Sequence, residues 1–276
     1  MTFGIVLSVL FAALLHAGWN AFLKKGGDPV LDGALLSLGW VVIVLPLLFI
    51  FPLPDPASWP YIGVSVLVHL IYFTFLVNAY RFGDLSEVYT IIRGTPPLLV
   101  AFGGILFAGE NLSPQGWAGL LLMVGGIIFL GVKGKIPGKP LILALSTAVA
   151  IASYTVIDAL GVRLSGNVIS FLMWQGLFQA TLFVLGTLYF KRGALLSHGR
   201  RHWQKGLIMG FISLGGYAIV LNAMTQAPMA YVSALRETSV IFAALIGVLF
   251  LSETMGRHRI IAAIIVFAGI VTLRFV

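Results

Sequence analysis

The stretch RGTPPLLVAFGGILFAGE, Arg93 to Glu110, has a counterpart in RETSVIFAALIGVLFLSE, Arg236 to Glu253, displaced by 143 positions at both ends (236 − 93 and 253 − 110). In that register Thr95 meets Thr238, Ala101 meets Ala244, Gly104 meets Gly247 and Phe107 meets Phe250, and beyond it Gly126 meets Gly269. Apolar composition alone does not align charged, small and aromatic residues in this way, so the chain reads as a duplicated unit. Asn78-Ala79 and Asn222-Ala223 extend the match at a displacement of 144 (222 − 78), one residue having been lost between the markers.

The surroundings of the repeat are those of a membrane protein. The chain is 59% hydrophobic and 9% charged, with a mean hydropathy of +1.04, and a soluble domain could not cover such a composition with polar surface. A bilayer core of about 30 Å needs about 20 apolar residues per helix, which gives this chain of 276 residues room for about ten spans. Breakers and charges delimit apolar stretches at roughly 2–23, 31–51, 60–80, 85–108, 115–132, 141–160, 168–190, 204–225, 229–251 and 257–275. The expected fold is an all-α membrane protein of two five-helix repeats, 1–138 and 139–276. The stretch from Thr2 to Leu23 lacks a basic start and is too long for a secretory signal, so it reads as a retained first helix. The segment Lys191 to His202 reads as the longest loop.

With ten spans, alternate loops fall on opposite sides, and one side collects most of the lysines and arginines, among them Lys24, Arg81, Lys133, Lys191, Arg201 and Arg257. The other side has Arg163 and Arg274. Basic loops stay in the cytoplasm, which puts both termini on the non-cytoplasmic side. An odd number of spans per half then makes the two repeats inverted. The pI of about 9.9 is explained by these loops, and no nucleic-acid motif accompanies them.

Several excluded functions follow. Cysteine is absent, so disulfides, thiol catalysis and cysteine metal sites are ruled out. No serine, histidine and acid form a nucleophile motif, no glycine-rich loop ends in Lys-Ser or Lys-Thr, and His198 and His202 have no further metal ligands nearby. The chain is not expected to be an enzyme, and no cofactor or metal is expected. The partners are a small-molecule substrate and the lipid bilayer.

An ionisable residue inside a span costs about 2.5–3.5 kcal/mol on insertion scales, so it faces a partner or a water-filled path. Arg93 and Arg236 are such residues, each roughly 10 Å inside its helix by the helical rise. They are either paired cationic anchors for an anionic substrate group, or they bond freed carbonyls or an acid such as Glu87, Asp158 or Glu237. Tyr89 lies one turn before Arg93, and Pro96-Pro97 then breaks the helix, as a flexing hinge or a static kink. His16, Trp19 and Asn20 share one stripe of the first span and would suit either a small amphipathic solute or interhelical bonding. Trp174, Gln175 and Gln179 of one span and Tyr217 and Asn222 of the next either complete a polar lining or serve ordinary helix packing. His69, at mid-span, either links transport to protons or is a neutral imidazole bonded to a helix backbone, and Asp158, near the outer end of its span, is either a proton-linked carboxylate or an interfacial acid. Glu110 and Glu253 read as structural carboxylates that cap the helix following each of them.

Gly83-Asp84-Leu85-Ser86, then Arg93-Gly94-Thr95-Pro96-Pro97, then Glu110 before a glycine-rich apolar span, resemble the drug/metabolite transporter superfamily, in particular its EamA-type ten-helix exporters. The likeness spans the whole chain. It departs from the family at Ala234-Leu235-Arg236-Glu237-Thr238, where many members carry a proline, so no kink of proline origin is expected there. The resemblance implies an inverted-repeat carrier of the bacterial inner membrane that works by alternating access and often exports amino acids or related metabolites. It also implies that the helix of Arg93, Pro96 and Pro97 lines the cavity, with Arg236 as its second-half equivalent. The competing expectations are proton-coupled efflux of cationic drugs, a membrane enzyme acting on lipid, and a flippase subunit.

Overall fold

The computed structural model describes residues 1–24, 28–82, 85–131, 138–243, 245 and 257–275, without the side chains at 20–24, 77, 80, 85–87, 130, 131 and 259. All described secondary structure is helical. The helices are α1 (Phe3–Lys24), α2 (Pro29–Leu47), α3 (Trp59–Phe82), α4 (Leu85–Gly94), α5 (Pro96–Ala108), α6 (Pro114–Gly131), α7 (Gly138–Leu164), α8 (Val168–Met224), α9 (Met229–Glu237) and α10 (Arg257–Arg274). A short 3-10 turn, Pro56–Ser58, leads into α3. Five helical segments are long and apolar enough to cross a bilayer: Pro29–Leu47, Pro56–Leu76, Val88–Ala108, Gly138–Leu164 and Val168–Met224. Shorter apolar helices cover Phe3–Trp19, Pro114–Phe129 and Ile260–Arg274.

Local chemistry sets the helix ends. Asp28 caps α2, its carboxylate accepting from Val30 N at 2.9 Å and Leu31 N at 3.3 Å, with Pro29 at the first helical position. Asn167 caps α8 by accepting from Ser170 N at 3.0 Å. α5 ends at Gly109 in the left-handed region (φ 63°), and the Glu110 amide returns to Gly104 O at 3.0 Å.

Both expected arginine-bearing spans are interrupted at the same repeat position. Between α4 and α5 the break falls at Thr95, where the two prolines that follow begin a new helix. In the second half α9 gives way to a turn at Thr238, and helix resumes over 239–243. No proline is present there, as the sequence requires, and the span is interrupted all the same. The Thr238 hydroxyl instead donates to Leu235 O at 2.6 Å, a local bond that satisfies a terminal carbonyl of α9.

A correction concerns 191–202. It is no loop: α8 has non-helical backbone only at Lys191 and His202, which divide it into helical pieces over 168–190, 192–201 and 203–224. The middle piece is held as helix because one face docks on α2. Leu195 is buried among Leu31, Ala34 and Leu35, and His198, three residues on, reaches the fully buried carboxylate of Asp32 at 2.9 Å, with Lys205 Nζ on its other oxygen at 3.2 Å.

α2 packs along α8, α3 on α7, α1 on α8, and α6 on α10; α5 touches α7 and α9, and α9 touches α1. Small residues let these backbones approach. A Cβ on Gly39 of α2 would meet the backbone of Gly206 and Gly210, and one on Gly269 of α10 would lie 2.8 Å from Gly119 O of α6. The main buried cluster draws on α1 and on α5 through α10, so the core sits where the two halves of the chain meet.

Candidate functional site

Arg93 is the penultimate residue of α4 and Arg236 the penultimate residue of α9, so each guanidinium stands at a helix C-terminus, where the dipole favours positive charge. Both converge on Glu237, which is fully buried. Arg93 Nη1 donates to Glu237 Oε2 at 3.2 Å, and Arg236 donates to Oε1 through Nε at 3.1 Å and Nη2 at 3.0 Å. Arg93 and Arg236 are 8% and 5% exposed, so these charges lie deep inside the protein. One carboxylate serves two arginines because its own repeat counterpart is Gly94 (237 − 143), whose missing side chain leaves room for Ile127 and Ile128 of α6.

His16 of α1 completes this group. Its Nε2 lies at hydrogen-bond distance from Arg93 Nη2, and because a guanidinium only donates, Nε2 accepts, which places the ring proton on Nδ1. Trp19 meets the His16 ring edge-on at 5.0 Å, and the Arg93 guanidinium lies 5.4 Å from the centre of the Tyr89 ring. The side chain of Asn20 falls outside the described residues, as do Glu87 and Glu253.

A second polar group lies on α3, α7 and α8. His69 Nδ1 donates to Ser65 O at 2.9 Å, one turn earlier, and the His69 ring stacks on Tyr154 at 3.9 Å, with Tyr72 edge-on to Tyr154 at 5.6 Å. Asp158, fully buried, accepts a short hydrogen bond from the Tyr217 hydroxyl. Gln175 donates to Gln179 Oε1 at 3.0 Å and to Ser65 Oγ at 3.4 Å. Arg236 lies within electrostatic range of His69, Tyr154, Asp158 and Tyr217, which joins the two groups into one polar centre. Trp174 sits elsewhere, against Trp59 at 5.2 Å and Phe178 at 5.7 Å.

The sequence reading did not single out Ser65, although its i, i+4 relation to His69 was the available signal, nor Asp32, one turn along α2 from Asp28. The role expected for Glu110 also changes. It caps not the helix that follows it but α9, accepting from Met229 N through both oxygens at 3.2 and 3.0 Å, and it pairs with Arg163 at 2.5 Å. Arg163 further donates to Met224 O at 2.8 Å and Ala227 O at 3.3 Å. Among the described residues no group of three or more His, Asp or Glu could hold a metal ion.

Comparison with known proteins bears on this arrangement. The profile of the EamA-like transporter family matches the chain twice, over residues 3–132 and 138–275. Multidrug resistance protein EbrB of Bacillus atrophaeus is 37% identical over 82 residues, 30% of this chain and 68% of that protein. EbrB of Bacillus subtilis (strain 168) is 37% identical over 73 residues, 26% of this chain and 62% of that one. A protein crystal structure superposes with a TM-score of 0.75 at 19% identity, covering 100% of this chain and 98% of the other, a likeness of fold.

Proposed function

This chain belongs to the EamA-like transporter family, and from that membership we propose that it is a secondary transporter exporting a small amphipathic solute such as an amino acid, whose anionic group is met by Arg93 and Arg236. The observation that carries this reading is the sharing of one carboxylate by two buried guanidiniums. Both guanidiniums lie deep in a multi-pass membrane protein, where an ionisable group faces a partner or a water-filled path, and a solute anion can compete with Glu237 for them. A solute carboxylate is planar and matches the guanidinium fork. His16, Trp19, Asn20, Tyr89 and Tyr217 are the further candidates for its surroundings, with Trp174 as a more distant one.

Alternating access between two inverted five-helix units, 1–138 and 139–276, is the accompanying mechanism. It is supported by the helix breaks at Thr95 and Thr238, which share the displacement of the sequence repeat, and by packing that maps onto itself when the halves are exchanged: α3 on α7 corresponds to α1 on the last piece of α8. Thr95, Pro96 and Pro97 are then the hinge of the first half. His69 and Asp158 are the groups proposed to link movement to protons. The crowding of basic residues in alternate loops supports insertion in a bacterial inner membrane with both termini on the non-cytoplasmic side.

A second reading, efflux of cationic drugs, is favoured by the likeness to EbrB and by the buried acids Glu237 and Asp158. Counterflow in proteoliposomes loaded with a panel of amino acids and lipophilic cations separates the two. Exchange of amino acids but not cations is expected; exchange of cations alone would replace the first reading with the second, and exchange of neither would end both.

A further inference from the structure

A cluster of exposed positive charge lies on the middle piece of α8, 192–201. The pieces on either side, 168–190 and 203–224, are each about 33 Å long at the helical rise, enough for a hydrocarbon core of about 30 Å. They run side by side: a Cβ on Gly33 of α2 would touch Phe183 of the first, and one on Gly206 of the last would meet Leu35 of α2, two residues on. The chain therefore reverses over 191–202, which puts the middle piece at a membrane surface. From 159 to 236 the sequence contains no Asp or Glu, and the acids paired with the reversal come from the start of α2: Asp28 takes Lys191 at 2.6 Å, and Asp32 takes His198 and Lys205. Lys191, Arg192, Arg200, Arg201 and Lys205 are five cations, so the two acids leave an excess of three (5 − 2). That excess rests on Arg192, Arg200 and Arg201, which are exposed and, among the described residues, have no carboxylate at ion-pair distance.

Apolar groups flank these charges. Leu196, 52% exposed, stands between Arg192 and Arg200 at four-residue spacing. Tyr189 and Phe190, 84% and 82% exposed, close the first piece, and Trp203, 56% exposed, opens the last. Uncovered rings beside arginines, at the ends of segments of spanning length, fit the boundary where acyl chains meet headgroups. From this arrangement we infer that 192–201 is a docking site for the headgroup of an anionic phospholipid, with Arg192, Arg200 and Arg201 on the phosphate and Leu196 and Trp203 against the upper acyl chains. The assignment goes beyond the solute reading and stands without it. Guanidiniums match phosphate oxygens through paired N–H donors. Leu195 and the bonds to Asp32 already fix the piece on α2, so the arginines are presented with little ordering cost. A zwitterionic headgroup carries its own cation beside the phosphate, so the excess of three favours the anionic lipid.

The test is native mass spectrometry of the full chain in detergent, titrated separately with phosphatidylglycerol and phosphatidylcholine of the same acyl chains, so that the apolar contribution cancels. Wild-type protein is expected to retain phosphatidylglycerol by at least about tenfold over phosphatidylcholine, the order expected of several arginines at an anionic surface. The combined variant Arg192→Gln, Arg200→Gln and Arg201→Gln is expected to bring the two lipids within about twofold of each other. It keeps the fold, since none of the three arginines is paired with an acid, and an unchanged melting temperature checks this. Excess water-soluble glycerophosphate, the headgroup without its chains, is expected to leave the bound lipid in place. Equal retention of both lipids by the wild type would overturn the site, and that result needs no variant. Undiminished preference in the folded variant would also overturn it. Displacement of the lipid by glycerophosphate would assign the arginines to a soluble phosphate and overturn the lipid docking.

Discussion

Two arginine–glutamate groups in this protein use the same side chains to opposite ends. In the Glu110–Arg163 clamp the bonds run between helix ends: Arg163 reaches Glu110, Met224 O and Ala227 O, and Glu110 caps the first amide of α9. At the centre, Arg93 and Arg236 divide a single carboxylate, and a second acid, Asp158, stands within electrostatic range of Arg236. The clamp's bonds hold the ends of α5, α7, α8 and α9 together. The central set instead gathers two guanidiniums and two acids, Glu237 and Asp158, deep inside the protein, and it is this group that the transport reading assigns to the solute.

The difference can be broken by exchanging loss of function against loss of stability. Arg93→Ala has the largest expected effect: exchange of a carboxylate-bearing solute falls by roughly ten- to a hundredfold, the worth of one charge-assisted hydrogen bond of about 1.5–3 kcal/mol. The protein stays folded, because Arg236 keeps Glu237 paired through two N–H groups, and an unchanged melting temperature checks this. Glu110→Ala does the reverse. It uncaps α9 and strands Arg163, whose 27% side-chain exposure softens the penalty to about 2 kcal/mol, read as a lower melting temperature with exchange per folded molecule near that of the wild type.

A smaller effect sharpens the comparison of the two helix breaks. α9 stops at Thr238 without proline, so Pro96→Ala and Pro97→Ala are expected to leave the break at Thr95 in place and to change stability by less than about 1 kcal/mol in thermal melts. The smallest effect lies at the start of α2. Burial pushes the Asp28 carboxyl up, but the Lys191 ammonium and the Val30 and Leu31 amides outweigh it and hold the group below its ordinary value. Such a group stabilises the fold above the ordinary carboxylate range and ceases to do so as the pH falls through its lowered value. Asp28→Asn is therefore expected to lower the melting temperature slightly near pH 7 and to have no effect at about pH 2.

Much of this was legible in the sequence because charges stand out in apolar runs. Arg93 and Arg236 announced themselves by position and by their shared displacement, and Glu237 was among the acids within reach. That Glu237 serves both arginines was not legible, since it depends on α4 and α9 meeting and on Gly94 leaving its counterpart position empty. Glu110 was read through its sequence neighbours, whereas its partners lie 53 and 119 positions away. The stretch 191–202 was misread as a loop because its charges conceal one apolar face, which becomes visible only when α2 supplies Leu31 and Asp32 to receive it. Ser65, Asp158 and Gln175 come from three helices, and no local pattern links them.

The claim that the centre of Arg93, Arg236 and Glu237 is the place of the solute is tested most directly by counterflow of labelled phenylalanine into proteoliposomes carrying wild-type or Arg93→Ala protein in equal folded amounts. The account predicts exchange in the wild type and a loss of about tenfold or more in the variant. Exchange at the same rate in both would contradict it.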